Sequence, residues 1–86
     1  MDLHLDGKTV IVTGGGSGIG AAISEVLSEE GARPVIIARR RPDDVWLRRI
    51  GADFIEAELS SDDACRLAVA AVRGRRGAIH GLVNNA

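Results

Sequence analysis

Thr13-Gly14-Gly15-Gly16-Ser17-Gly18-Ile19-Gly20 is the segment whose residue types and spacing most clearly imply chemistry. Five of the chain's eleven glycines fall within it. The apolar, β-branched run Thr9-Val10-Ile11-Val12 precedes it, and a stretch of helical period follows. Glycine suits such a corner for two reasons. A missing Cβ lets an anionic ligand come close to backbone N–H groups, and glycine takes positive φ freely. A helix starting near Gly18 would aim its unpaired N–H groups and the positive end of its dipole at that anion. The expected ligand group is a diphosphate.

The surrounding elements must hold that corner. Thr9 to Val12 reads as a buried strand. Ile19, Ala22, Ile23, Val26 and Leu27 recur at helical spacing, with Ser24, Glu25, Ser28 and Glu29 expected to face away, and Gly31 is a fitting stop. Val35 to Ala38 is a second strand. Pro42-Asp43-Asp44 opens a short helix carrying Val45, Trp46, Leu47 and Ile50, which ends at Gly51. Asp53 to Glu58 is a third strand. Ser60 or Ser61 caps a third helix with Asp62 and Asp63 in its first turn and Leu67, Ala68, Ala71 and Val72 as its buried stripe. Gly74 to Gly77 is a turn, and Ile79 to Asn84 a fourth strand. The order β-α-β-α-β-α-β, with continuously apolar strands, predicts an α/β fold with a parallel sheet covered on both faces. Right-handed crossovers favour a doubly wound, Rossmann-type arrangement of order 3-2-1-4. The fourth strand would then be an open edge, so residues 1–86 read as the N-terminal part of a dinucleotide-binding domain, its catalytic half lying outside them.

Other glycine loops fit less well. A P-loop needs Gly-Lys-Ser/Thr at the helix start, and the one lysine, Lys8, lies before the first strand. A methyltransferase loop through Gly14, Gly16 and Gly18 usually has an acid just upstream, where Val12 and Thr13 stand. The pattern Thr-Gly-x-x-x-Gly-x-Gly, formed by Thr13-Gly14, Gly18 and Gly20, fits without forcing. With Asn84-Asn85-Ala86 after the fourth strand, it resembles the short-chain dehydrogenases/reductases, and the similarity runs the length of the chain. The resemblance implies binding of NAD(H) or NADP(H) and, in a complete protein, reversible hydride transfer between that nucleotide and a carbonyl or alcohol. The strings "MDLHLDGKTVIVTGG" and "AELSSDDACRLAV" are similar to the branch acting on L-fucose and related sugars.

An NAD-selective site places an acid at the end of the second strand to accept from the ribose 2′-OH. Ala38 holds that place, and Arg39, Arg40 and Arg41 follow. A guanidinium there can bind a 2′-phosphate through a charge-assisted contact, so NADP is expected over NAD. Arg39 is the first choice of ligand, Arg40 the second, and Arg41 the last. By resemblance, Ser17 stands where some NADP-selective relatives carry a basic residue. Glu58-Leu59 would line the adenine, and Asn84, Asn85 and Ala86 would lie along the adenosine ribose. The candidate cofactor contacts are Gly14, Gly16, Ser17, Gly18, Ile19 and Gly20 on the first corner and Ala38, Arg39 and Arg40 on the second. Glu58, Leu59, Asn84, Asn85 and Ala86 complete the set.

Composition excludes other classes. Lys+Arg is 11 and Asp+Glu is 12, for a net charge of −1. No excess of one sign marks a nucleic-acid or anionic-membrane surface. No apolar run approaches the roughly 20 residues of a membrane span. Acids stand at Asp2 and Asp6, where a signal peptide needs bases. The expectation is a cytoplasmic chain, homo-oligomeric in its full-length form. The single Cys65 excludes an internal disulfide and reads as a core residue. Trp46 reads as packing, and His4 and His80 lack paired metal spacing, with His80 at the surface.

The resemblance implies a Tyr-x-x-x-Lys pair with an earlier Ser, in which the Tyr hydroxyl exchanges the substrate proton and the Lys charge lowers its pKa. The chain has no tyrosine, one lysine and no serine after Ser61. The relay cannot be assembled from these residues, and no catalytic or metal-ligating residue is assigned among them. Two functional readings remain open: the nucleotide-binding portion of an oxidoreductase, or a non-catalytic nucleotide-binding or interaction module.

Overall fold

A computed structural model describes residues 6–14, 18–57, 66, 69–74 and 78–84. In chain order the elements are β1 (Thr9–Thr13), α1 (Gly18–Glu29), β2 (Arg33–Ala38), α2 (Asp44–Ile50), β3 (Asp53–Glu56) and β4 (Gly81–Asn84). Residues 69–74 are also helical. The strands form one sheet of order β3-β2-β1-β4, and every pairing is parallel. This is the expected Rossmann-like arrangement. The boundaries move slightly. β1 runs on to Thr13, β2 starts at Arg33, β3 stops at Glu56, β4 starts at Gly81, and the last helical stretch includes Gly74 where a turn was expected.

The strands are apolar on both sides because both faces are covered. Side chains alternate along a strand. Ile36 on β2 packs with Leu47 and Ile50 of α2, and half-buried Trp46, Ala52 and Phe54 join them. On the opposite face Ile11, Val35 and Ile37 pack with Val72 from the helical residues 69–74. Burying one such aliphatic side chain contributes about 1.5–3 kcal/mol, so the two clusters hold a helix on each face.

The helices α1 and α2 end alike. Gly31 (φ 86°) and Gly51 (φ 67°) take the left-handed conformation. At each, the glycine N–H reaches back three residues, to Ser28 and Arg48, and the next N–H reaches back five, to Leu27 and Leu47. These bonds satisfy carbonyls that a helix end leaves unpaired. A side chain at Gly31 would also collide with Asp6. At the start of α2, the Asp43 carboxylate accepts from the Val45 N–H at 2.8 Å, which makes Asp43 the cap and Asp44 the first-turn acid.

The orientation of α1 differs from the sequence expectation. Ser24, expected outside, is fully buried, whereas Ile19 is 72% and Val26 52% exposed and Ala22 is exposed. The buried face is turned by one residue, about 100°. Gly20 and Ser24 face inward because small residues let the helix lie close against the sheet. Ser24 is satisfied there by donating its hydroxyl to the Gly20 carbonyl at 2.9 Å. Ile23 and Leu27 flank this contact, half-buried. On the 69–74 stretch Val72 is buried as expected, but Ala71 is exposed. Leu67, Ala68, Cys65 and the expected cap at Ser60 or Ser61 lie outside the described residues.

Candidate dinucleotide site

The site lies beyond the C-terminal ends of β1 and β2, where ligands of open parallel sheets bind. Register sets the two corners side by side, since Thr13 is opposite Ile37. The Gly14 N–H donates to the Ile37 carbonyl at 3.0 Å. Gly14 therefore acts through its conformation, φ 65°, because its own amide is occupied by β2. The amides left for an anion among the described residues are those of the first turn of α1, which have no partner within a helix.

Gly18 opens α1 at φ 55°. A Cβ built there meets no atom within 4 Å. Packing within the protein therefore does not demand glycine at this position. The backbone conformation does. No acid occupies the first turn of α1, so nothing there opposes a diphosphate at the positive end of the helix dipole. These features fit a nicotinamide dinucleotide approaching through its diphosphate. Ile19 is exposed beside this opening, and buried Gly20 lets α1 lie against the sheet.

At the second corner Ala38 ends β2 and is half-buried, with Arg39 and Arg40 exposed immediately after it. The Ala57 N–H donates to the Ala38 carbonyl at 3.0 Å, which fixes the strand end. Arg41 turns elsewhere. Its Nε donates to Asp44 Oδ1 at 2.6 Å, and its guanidinium carbon lies 5.6 Å from the centre of the Phe54 ring.

β4 closes the other side of β1, with Asn84 opposite Thr13. The Thr13 hydroxyl donates to the Val83 carbonyl at 3.3 Å. Sequence reasoning missed this tie and that of His80. His80 is exposed, as expected, but its Nδ1 accepts from the Thr9 N–H at 3.1 Å. A polar residue at a strand terminus was the available signal for both. Gly16, Ser17, Glu58, Leu59, Asn85, Ala86 and the Asn84 side chain lie outside the description. Among the described residues no cluster of His, Cys, Asp or Glu could hold a metal ion, and no helix is long and apolar enough to cross a membrane.

The short chain dehydrogenase family profile matches residues 8–86. The chain belongs to this family. It is 36% identical over 86 residues to a probable galactose dehydrogenase of Rhizobium meliloti, covering 92% of this chain and 34% of that protein. It is 38% identical over 88 residues to L-xylulose reductase of Bos taurus, covering 100% of this chain and 34% of that one. The crystal structure of Cj0485 dehydrogenase superposes with a TM-score of 0.92 at 37% identity, over 100% of this chain and 35% of that one. The chain thus spans about a third of these relatives' lengths. Its fold is that of an NAD(P)-binding module.

Proposed function

We propose that residues 1–86 are the N-terminal, nucleotide-binding portion of an oxidoreductase that transfers hydride between NADP(H) and a carbonyl or alcohol. The observation that carries this reading is the pairing of two corners on adjacent strands. One is glycine-built and faces an open helix N-terminus. The other places Arg39 directly after β2. The first suits a diphosphate and the second the 2′-phosphate of NADP. Hydrogen bonds to charged groups contribute about 1.5–3 kcal/mol, so NADPH should bind roughly tenfold to a hundredfold tighter than NADH.

The family's Tyr-x-x-x-Lys relay has no counterpart in a chain without tyrosine. The proposed activity is therefore that of a longer protein, and the 86-residue chain binds nucleotide without turning substrate over. The galactose and L-xylulose named for two relatives support a sugar or polyol substrate. They give no support to L-fucose in particular.

Calorimetric titration of the chain with NADPH and with NADH tests the reading. Tighter binding of NADPH is the expected result. Equal affinities would remove the NADP assignment. No binding of either by a chain that melts cooperatively would remove the nucleotide assignment altogether.

A further inference from the structure

The second corner contains more than its arginines. Arg41 lies two residues beyond Arg39, yet its guanidinium sits over Phe54. Phe54 is opposite Ile36 on β2, two residues before the strand's end at Ala38. At about 3.3 Å per residue, the Phe54 backbone lies roughly 7 Å back along the sheet from that end. A nucleotide lies beyond the strand ends. In this structure Arg41 is engaged by Phe54 and by Asp44 instead of standing free beyond the strand end.

The contacts that draw Arg41 back also pin the segment carrying Arg39 and Arg40. At its start the Ala38 carbonyl accepts from Ala57, and at its end the Leu47 N–H donates to the Asp43 carbonyl at 3.0 Å. Between these anchors, Asp44 and Phe54 hold Arg41 from one element each, α2 and β3.

We propose that Asp44 and Phe54 are positioning residues for nucleotide selectivity: by holding Arg41 back along the sheet, they fix the path of residues 39–43 so that Arg39 stands beyond β2. The proposal rests on the NADP reading above. It assigns Arg41 a supporting role in place of a phosphate contact.

The Asp44→Ala variant gives a test of sign. Electrostatics alone favours the 2′-phosphate once a nearby negative charge is removed and an arginine set free. The positioning role predicts the opposite, a fall of about threefold to tenfold in the preference for NADPH over NADH. Phe54→Leu changes no charge and should lower the preference in the same direction. Asp44→Asn keeps an oxygen that accepts from Arg41 and should stay near the unsubstituted chain. Dissociation constants for both nucleotides, measured calorimetrically on the 86-residue chain, give the ratio. A rise in the ratio for Asp44→Ala, or no change for Phe54→Leu, overturns the proposal. An Asp44→Ala chain that does not fold leaves the decision to Phe54→Leu and Asp44→Asn. Failure of the unsubstituted chain to bind either nucleotide would instead overturn the reading beneath it.

Discussion

The two strand-to-helix corners occupy equivalent places on neighbouring strands and are built by opposite means. The first, from Thr13 into α1, presents backbone: Gly14 and Gly18 turn through positive φ, and a Cβ at Gly18 would meet no atom within 4 Å. The second, from Ala38 into α2, presents side chains, and its backbone is held by Asp43, Asp44 and the Arg41 contact with Phe54. Backbone amides recognise what all dinucleotides share. Arginines recognise what one dinucleotide adds. On the proposed NADP reading, the difference separates affinity from selectivity, and each should be open to perturbation alone.

The largest effect belongs to the shared corner. Gly18→Val puts a β-branched residue at φ 55°, a conformation costing about 1–3 kcal/mol, and fills the space left for the diphosphate. Affinity for NADPH and NADH should fall together, by roughly tenfold or more, with their ratio unchanged in calorimetric titration. A selective loss of one nucleotide would show that the corners are not separable. Arg39→Ala should do the reverse. NADPH affinity should fall about tenfold or more, from the loss of a charge-assisted contact, while NADH affinity moves less than about twofold in the same titration.

The smallest effect tests how firmly the corners are joined. Trp46 Nε1 on α2 donates to Glu25 Oε1 on α1 at 2.7 Å, and Arg49 reaches the same oxygen at 3.3 Å. Glu25→Ala should lower stability by about 0.5–1 kcal/mol, a few degrees in the melting temperature. It should also shift the fluorescence of the chain's one tryptophan. An unchanged melt and spectrum would mean that the Glu25 contacts add nothing to a junction already held by apolar contacts and by the Ser28 hydroxyl, which donates to the Ile50 carbonyl at 2.6 Å.

The glycine corner, the strand order and the arginines after β2 were legible in the sequence because each depends on residue type at a local position. The buried face of α1 was not. Counting apolar residues favours Ile19, Ala22 and Val26, but closeness to the sheet favours Gly20 and Ser24, and only the packed structure shows that closeness prevails. The occupied amide of Gly14 was equally hidden, since its partner, Ile37, lies 23 residues on. Arg41 was already the last choice of the three arginines, but its partners Phe54 and Asp44 appear only once the elements are packed. Glu25, assigned to solvent by its charge, joins two helices because Trp46 and Arg49 approach from an element that the periodicity of α1 says nothing about.

The sheet order also bears on the sequence of assembly. β1 is flanked by β2 and β4, and the Thr9–His80 and Thr13–Val83 bonds join residues 71 and 70 apart. On a ribosome, the earliest strand to emerge keeps one side unzipped until nearly the last residue of these 86 has been made. Closing so long a span is slow compared with local helix formation. The C-terminal end of β1, though encoded near the beginning, therefore gains its second neighbour only when this late strand docks.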